Sequence, residues 1–210
     1  MTASAAPRTV TRILTPPFRV SYPYLFTPRK NADTGEETFE VQAVFAKGDD
    51  LTVLRKAVLA VAKERWPKLM ATVKPDLSGW PTGLRNPLRP NEEKWKEDAN
   101  GNPVEIAPYT AGGFFATLKS WQAPGVVDEK VQLIIEPRSF YAGCYARAKI
   151  AVKTYPRPDA KGGSLGNKGV RFELWNIQKI KDGAPLGGGS RPEDDFEAVS
   201  EAASGDVFDE

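Results

Sequence analysis

Apolar and polar residues alternate along several stretches of this chain and take helical spacing in one. Phe39, Val41, Ala43 and Phe45 alternate with Glu40 and Gln42, the period of a strand with one buried face. Residues 8–27 read as one or two strands interrupted by Pro16-Pro17 and ending in the aromatic cluster Phe18, Tyr22, Tyr24 and Phe26. Pro28–Glu37, around Asp33-Thr34-Gly35, is turn-rich. Leu51, Leu54, Val58, Val61 and Ala62 predict a helix that starts with Asp49 or Asp50 as N-cap and is closed by Pro67 after Trp66. Strand patterns return at 114–122, 131–135, 143–155 and 169–180. The last two flank the glycine-rich stretch Lys161–Gly169 and predict a long hairpin.

Between Pro67 and Gly113 no period holds. With seven prolines, Trp80, Trp95 and charges of both signs, the stretch is too long for a passive connection and is expected to be an excursion, a candidate for function whose role the sequence leaves open. About five main strands and one helix predict a β-rich domain, a five-stranded Greek-key barrel of the OB type, over residues 1–186. Residues 187–210 are expected to form a flexible tail, since low apolar content and like charge disfavour a folded state.

Charge changes the picture. Glu193, Asp194, Asp195, Glu197, Glu201, Asp206, Asp209 and Glu210 crowd the final eighteen residues, which carry no cation. Removing those eight from the 27 carboxylates leaves 19 against 29 Lys and Arg, so a body of net +10 precedes a tail of −8. A basic, aromatic-rich body suits a polyanion, and the tail can compete for the same surface.

The 143–155 strand carries the clearest chemistry. One face reads Cys144, Ala146, Ala148, Ile150 and Val152, fit for a barrel interior. The other reads Tyr145, Arg147, Lys149, Ala151, Lys153 and Tyr155. Cations track phosphates and rings stack bases regardless of sequence, each ring worth about 1–3 kcal/mol. An ordinary solvated strand face is the bland reading. On 114–122, inward Phe114, Ala116 and Leu118 would leave Phe115, Thr117, Lys119 and Trp121 outward; Phe115 and Trp121 covering a second core under the 67–113 excursion is an equal reading. On 169–180, Arg171, Glu173, Trp175 and Lys179 read outward, and Ile177 breaks the alternation, which points to a bulge. Trp175 reads as a stacking or a core residue.

Other signals are weak. Gly162–Gly169 has the wrong spacing for a phosphate loop and lacks Ser or Thr after Lys168, so it reads as a hairpin tip. Asp49-Asp50 and Glu92-Glu93 read as cap and solvated loop before metal ligands, and Cys144 as a small core residue. Without histidine there is no Ser-His-Asp triad, Cys-His pair or His-ligated metal. No cofactor is expected. The single cysteine, the small polar N-terminus and the lack of any apolar run near 20 residues predict a reducing cytoplasm and no membrane contact. In the tail, Asp194, Asp195, Phe208, Asp209 and Glu210 have the chemistry of a docking peptide, charge for steering and a ring for an apolar pocket.

Several blocks resemble a family of tailed-phage and prophage proteins: Ser21-Tyr22-Pro23-Tyr24-Leu25-Phe26, Phe140–Ala148, Gly166–Val170, Asn176–Lys179 and Gly183–Gly188, followed by the acidic end. The resemblance covers roughly 18 to 196 and does not extend to 67–113. It implies an OB-fold, phage single-stranded DNA-binding protein that coats replication or recombination intermediates and recruits replication proteins through its C-terminus.

The expectation is therefore a non-enzymatic, sequence-nonspecific single-stranded DNA-binding protein. Its groove would consist of Tyr145, Arg147, Lys149, Lys153 and Tyr155, helped by Phe115, Lys119, Trp121 and Trp175. Rival readings are an adaptor acting through the tail, an RNA-binding OB protein and, more distantly, a carboxylate-metal nuclease. Expected partners are single-stranded DNA, RNA as its alternative, replication or recombination proteins, and a second copy in a homodimer.

Overall fold

The computed structural model describes residues 11–32, 35–156 and 168–187. Five long strands close on themselves: β2 (Phe18–Lys30), β3 (Glu37–Phe45), β8 (Phe114–Ser120), β11 (Lys168–Lys181) and β10 (Tyr145–Pro156), which returns to β2. The pairings around this ring are antiparallel except β8–β11, which is parallel. This is the β-rich, OB-like barrel with one helix that the patterning predicts.

Its interior follows from alternation. Cys144, Ala146, Ala148, Ile150 and Val152 are all at most 1% exposed, as read from the sequence, and burial pushes the Cys144 thiol up to about 11. Phe18, Val20, Val41, Ala43, Leu118, Val170, Phe172 and Leu174 meet them inside. The helix α1 (Thr52–Arg65) sends Leu54, Ala57, Val58, Val61 and Ala62 into the same core. Its predicted cap is displaced by one residue: Leu51 is the N-cap, and the Asp50 carboxylate accepts from the Thr52 amide at 2.9 Å. Among the described residues no helix is long and apolar enough to cross a membrane.

The break read at Ile177 is a bulge two residues earlier. Lys149 pairs with Asn176 and Ile150 with Leu174, so Trp175 is the extra residue, and Ile177 returns to the core at 1% exposure. Another expected strand is absent. Residues 131–135 make only an isolated bridge, Val127↔Leu133; the segment that pairs with β11 is β9 (Gly125–Val127). Val131, Leu133 and Ile135 are exposed, because their apolar alternation faces solvent.

The 67–113 excursion wraps the barrel in short pieces. Met70, Val73, Leu77, Leu84 and Leu88 extend the main core. The short strands β4 (Leu84–Arg85) and β5 (Arg89–Pro90) add to β11 and β8, and β6 (Lys96–Glu97) pairs with β7 (Pro103–Val104). Tyr109 and Trp95 then cover Val44 and Phe115 in a second core. Trp80 and Trp95 are anchored through their indole N–H groups, donated to the Leu84 and Tyr109 carbonyls at 2.6 and 2.7 Å.

Two blocks of the resemblance meet in space. The Leu186 amide donates to the Ala142 carbonyl at 2.9 Å, and Arg19 donates to the Ala184 carbonyl at 2.7 Å. Gly143 has φ +113, and a Cβ there would stand 2.2 Å from the Ala184 oxygen. Only glycine permits both this backbone and this approach.

Candidate nucleic-acid interface

Register places one row of side chains across the outer face. Tyr24 pairs with Glu40, Glu40 with Lys119, Lys119 with Glu173, Glu173 with Ala151, and Ala151 with Arg12 of β1 (Thr11–Leu14). Neighbouring strands lie about 4.8 Å apart, so this row spans the surface. Two carboxylates organise it. Glu40 accepts from Arg29 and pairs with Lys119, both at 2.8 Å. Burial pushes the Glu40 carboxyl up, but bonds and charge from Lys119 and Arg29 outweigh it and hold the group below its ordinary range. Glu173 binds Lys153 at 2.6 Å and lies 3.8 Å from Arg171.

The predicted site residues divide into groups. Lys119, Trp121 and Lys153 belong to the carboxylate-centred cluster. Trp121 is 44% exposed, donates to Glu36 at 2.5 Å and carries Arg171 at 4.5 Å from its ring centroid. Trp175, displayed by its bulge, is 38% exposed and carries Arg12 at 3.7 Å. At the other end of β10, half-buried Tyr145 is flanked by Arg19 and Lys181, 5.5 and 4.7 Å from its centroid. Arg147 is exposed and donates to Gln178 at 2.9 Å; Lys149 is exposed and Tyr155 is half-buried.

Two expectations need correction. Phe115 is 1% exposed, packed against Tyr109 and Val44, so it offers no face to a base; the second-core reading is the one that holds for it. Ala151 keeps its outward register beside Arg12 and Glu173 but is covered, at 0% exposed. The tail residues Asp194, Asp195, Phe208, Asp209 and Glu210, and the glycine-rich tip at 162–167, lie outside the described residues. The paired acids have local duties. Glu92 accepts from the Gly112 amide at 2.6 Å and Glu93 pairs with Arg89.

Sequence reasoning missed a cleft of about 440 Å³ between β2 and the excursion, whose walls include Tyr22, Tyr24, Lys94, Lys96, Pro108 and Leu186. Tyr22 is 53% exposed at φ +46, a left-handed backbone that is sparsely populated for a tyrosine and turns its ring outward. Tyr24 carries Arg29 at 5.7 Å. Burial lowers the Lys94 ammonium, with Arg89 adding to the effect. The available signal was Tyr22-Pro23-Tyr24 itself: a proline inside a strand marks a register break, and pairing with β3 is indeed irregular between Ser21 and Tyr24.

Rings flanked by cations on an exposed sheet can hold stacked bases beside phosphates. No curated protein matches this chain. Solved structures do match. The single-stranded DNA-binding protein of bacteriophage Enc34, in complex with single-stranded DNA, is similar at TM-score 0.55 and 16% identity over 88% of this chain and 97% of that one. Its C-terminal truncation is similar at TM-score 0.53 and 16% identity, over 83% and 87%. The bacteriophage T7 single-stranded DNA-binding protein gp2.5 is similar at TM-score 0.55 and 16% identity, over 96% and 100%. At such identity these likenesses show the fold. A family model, described as the Enterobacter phage Enc34 single-stranded DNA-binding protein, matches residues 11–208, and the chain belongs to that family.

Proposed function

We propose that this protein binds single-stranded DNA without sequence preference and coats it during phage DNA replication, recombination or repair. The observation that carries the reading is the recurrence of ring and cation on the barrel surface: Trp121 with Arg171, Trp175 with Arg12, Tyr145 with Arg19 and Lys181, Tyr24 with Arg29. Membership of the Enc34 family supports it. Stacking needs an unpaired base face, which duplex DNA withholds, and the cations make the affinity fall with salt. RNA offers the same faces and is the competing ligand. The role is binding, not catalysis, in the host cytoplasm.

The acidic tail is proposed to compete with DNA and to recruit replication or recombination proteins. Leu186 stands in the wall of the tyrosine cleft, so the chain that follows starts at that cleft. Truncation after Pro192 should tighten DNA binding at low salt, and unchanged affinity would remove the competition. The central test is intrinsic tryptophan fluorescence titrated with single-stranded DNA, duplex DNA and RNA at two salt concentrations. Quenching of Trp121 and Trp175 by single strands, weakened by salt, is expected. Equal affinity for duplex would sink the reading.

A further inference from the structure

The arm between β9 and the turn at Pro137–Ser139 contributes no side chain to the interface above; its Asp128 carbonyl accepts from Gln178 at 3.0 Å, and Gln178 in turn accepts from Arg147. Leu133 and Ile135 are 72 and 86% exposed at alternate positions, and Val131, in the turn that leads into them, is 70% exposed. The arm is braced. The Asp128 carboxylate accepts from the Lys130 and Gln132 amides at 2.9 and 2.8 Å, and the Ile134 amide donates to the Val126 carbonyl. Val131 is held at φ +64, which a β-branched residue adopts only where its surroundings enforce it. Around the apolar side chains stand Asp128, Glu129 and Glu136 against Lys130 on the arm itself; Lys179 of β11, which lines the same side, is paired with Asp182 at 2.8 Å. On a strongly basic body this is an acidic, apolar knob.

Its complement lies at the other end of the barrel. β3 ends at Phe45, opposite Phe114, where β8 starts; β11 starts at that same end, and α1 follows Phe45 within seven residues. The arm instead joins β11 at Asn176–Gln178. The exposed side of α1 and the turn after it carry Val53 and Leu69, 49 and 53% exposed, among exposed Lys56, Lys63, Arg65 and Lys68. From Thr52 to Leu69 there are five cations and one carboxylate.

We infer that the arm of one copy docks on the α1 face of the next. Both surfaces pair exposed apolar side chains with charge, and the charges are opposite. Because the two patches differ and sit at opposite ends, the contact is heterologous and propagates instead of closing into a pair. Given the DNA-binding reading, on which this consequence rests, neighbours on one strand would bind cooperatively.

The test is sedimentation velocity of the full chain without DNA at low salt, with Glu129→Lys/Glu136→Lys on the arm and Lys56→Glu/Lys63→Glu on the helix. Wild type should grow beyond two copies with concentration. Each charge-reversed variant alone should need at least tenfold more protein to associate, and an equimolar mixture should recover association. Leu133→Ser/Ile135→Ser should weaken it equally. A wild type that stays monomeric or stops at two copies overturns the proposal, as does a mixture without recovery. Binding to an oligonucleotide that holds one protein should be unchanged in every variant, while clustering on long poly(dT) is lost in the single variants. Failure of wild type to bind the oligonucleotide would instead overturn the DNA reading and leave the sedimentation result to decide the contact.

Discussion

The Arg12 guanidinium lies 3.7 Å from the centroid of the Trp175 indole, covering one face of a ring that is otherwise 38% exposed. The free face is the one a base would take. Trp175→Ala should lose about 1–3 kcal/mol of single-stranded DNA affinity, read by anisotropy of a labelled oligo(dT). The melting temperature should hardly move, since the ring packs outside the barrel. Arg12→Gln should lose less and flatten the salt dependence by about 0.7 of a log–log unit.

Glu173 holds Lys153 at 2.6 Å and lies 3.8 Å from Arg171, so phosphate must compete with a carboxylate for these cations. Glu173→Gln should therefore tighten single-stranded DNA binding and steepen its salt dependence, by about 0.7 per cation released. A weaker complex would show that the carboxylate positions the cations for DNA.

Two surfaces compete for the stacked bases, and single substitutions separate them. Tyr24→Ala and Tyr22→Ala test the cleft; Tyr145→Ala and Tyr155→Ala test the outer face of β10. Each ring that holds a base should cost about 1–3 kcal/mol in binding on removal, with circular dichroism unchanged. A pair that binds as wild type does lies off the DNA path.

Glu40 is 5% exposed and its carboxyl is held low by Lys119 and Arg29 against the opposing effect of burial. A depressed folded value stabilises the protein fully above the unfolded carboxylate's pKa of about 4.3, and that contribution is lost as pH falls through the folded value. Glu40→Gln should thus be less stable than wild type at pH 7, with the gap closing below about pH 4 in urea melts. A gap independent of pH would mean the loss is of packing alone.

Phe115→Ala should remove about 3–5 kcal/mol of stability by emptying the second core. The folded fraction should bind DNA as wild type does, as expected of a ring sealed under Tyr109.

The barrel was legible because its strands bury one face each: small and branched residues at alternate positions of β10, and Val170, Phe172 and Leu174 of β11, could only point inward. Outward residues were harder. Phe115 belongs to an outward position, yet the excursion lies on that side of the sheet, and nothing local in Phe114–Ser120 says so. The excursion itself resisted reading because its stability rests on long-range contacts, such as Tyr109 donating to Gln42 at 2.7 Å, that follow no period. The carboxylates beneath the cations were invisible for a related reason. Glu40 and Glu173 meet Lys119 only through register, and register is a property of the closed sheet.

Strip Trp175 from β11 and the pairing from Lys168 to Lys179 falls into unbroken cadence: Leu174 opposite Ile150, Asn176 opposite Lys149, every inward residue still inward. The extra residue displays an indole outside the sheet with no substitution asked of the interior. Relatives could acquire or discard such a ring by a three-base insertion or deletion, altering grip on a ligand while the folding problem stays the same.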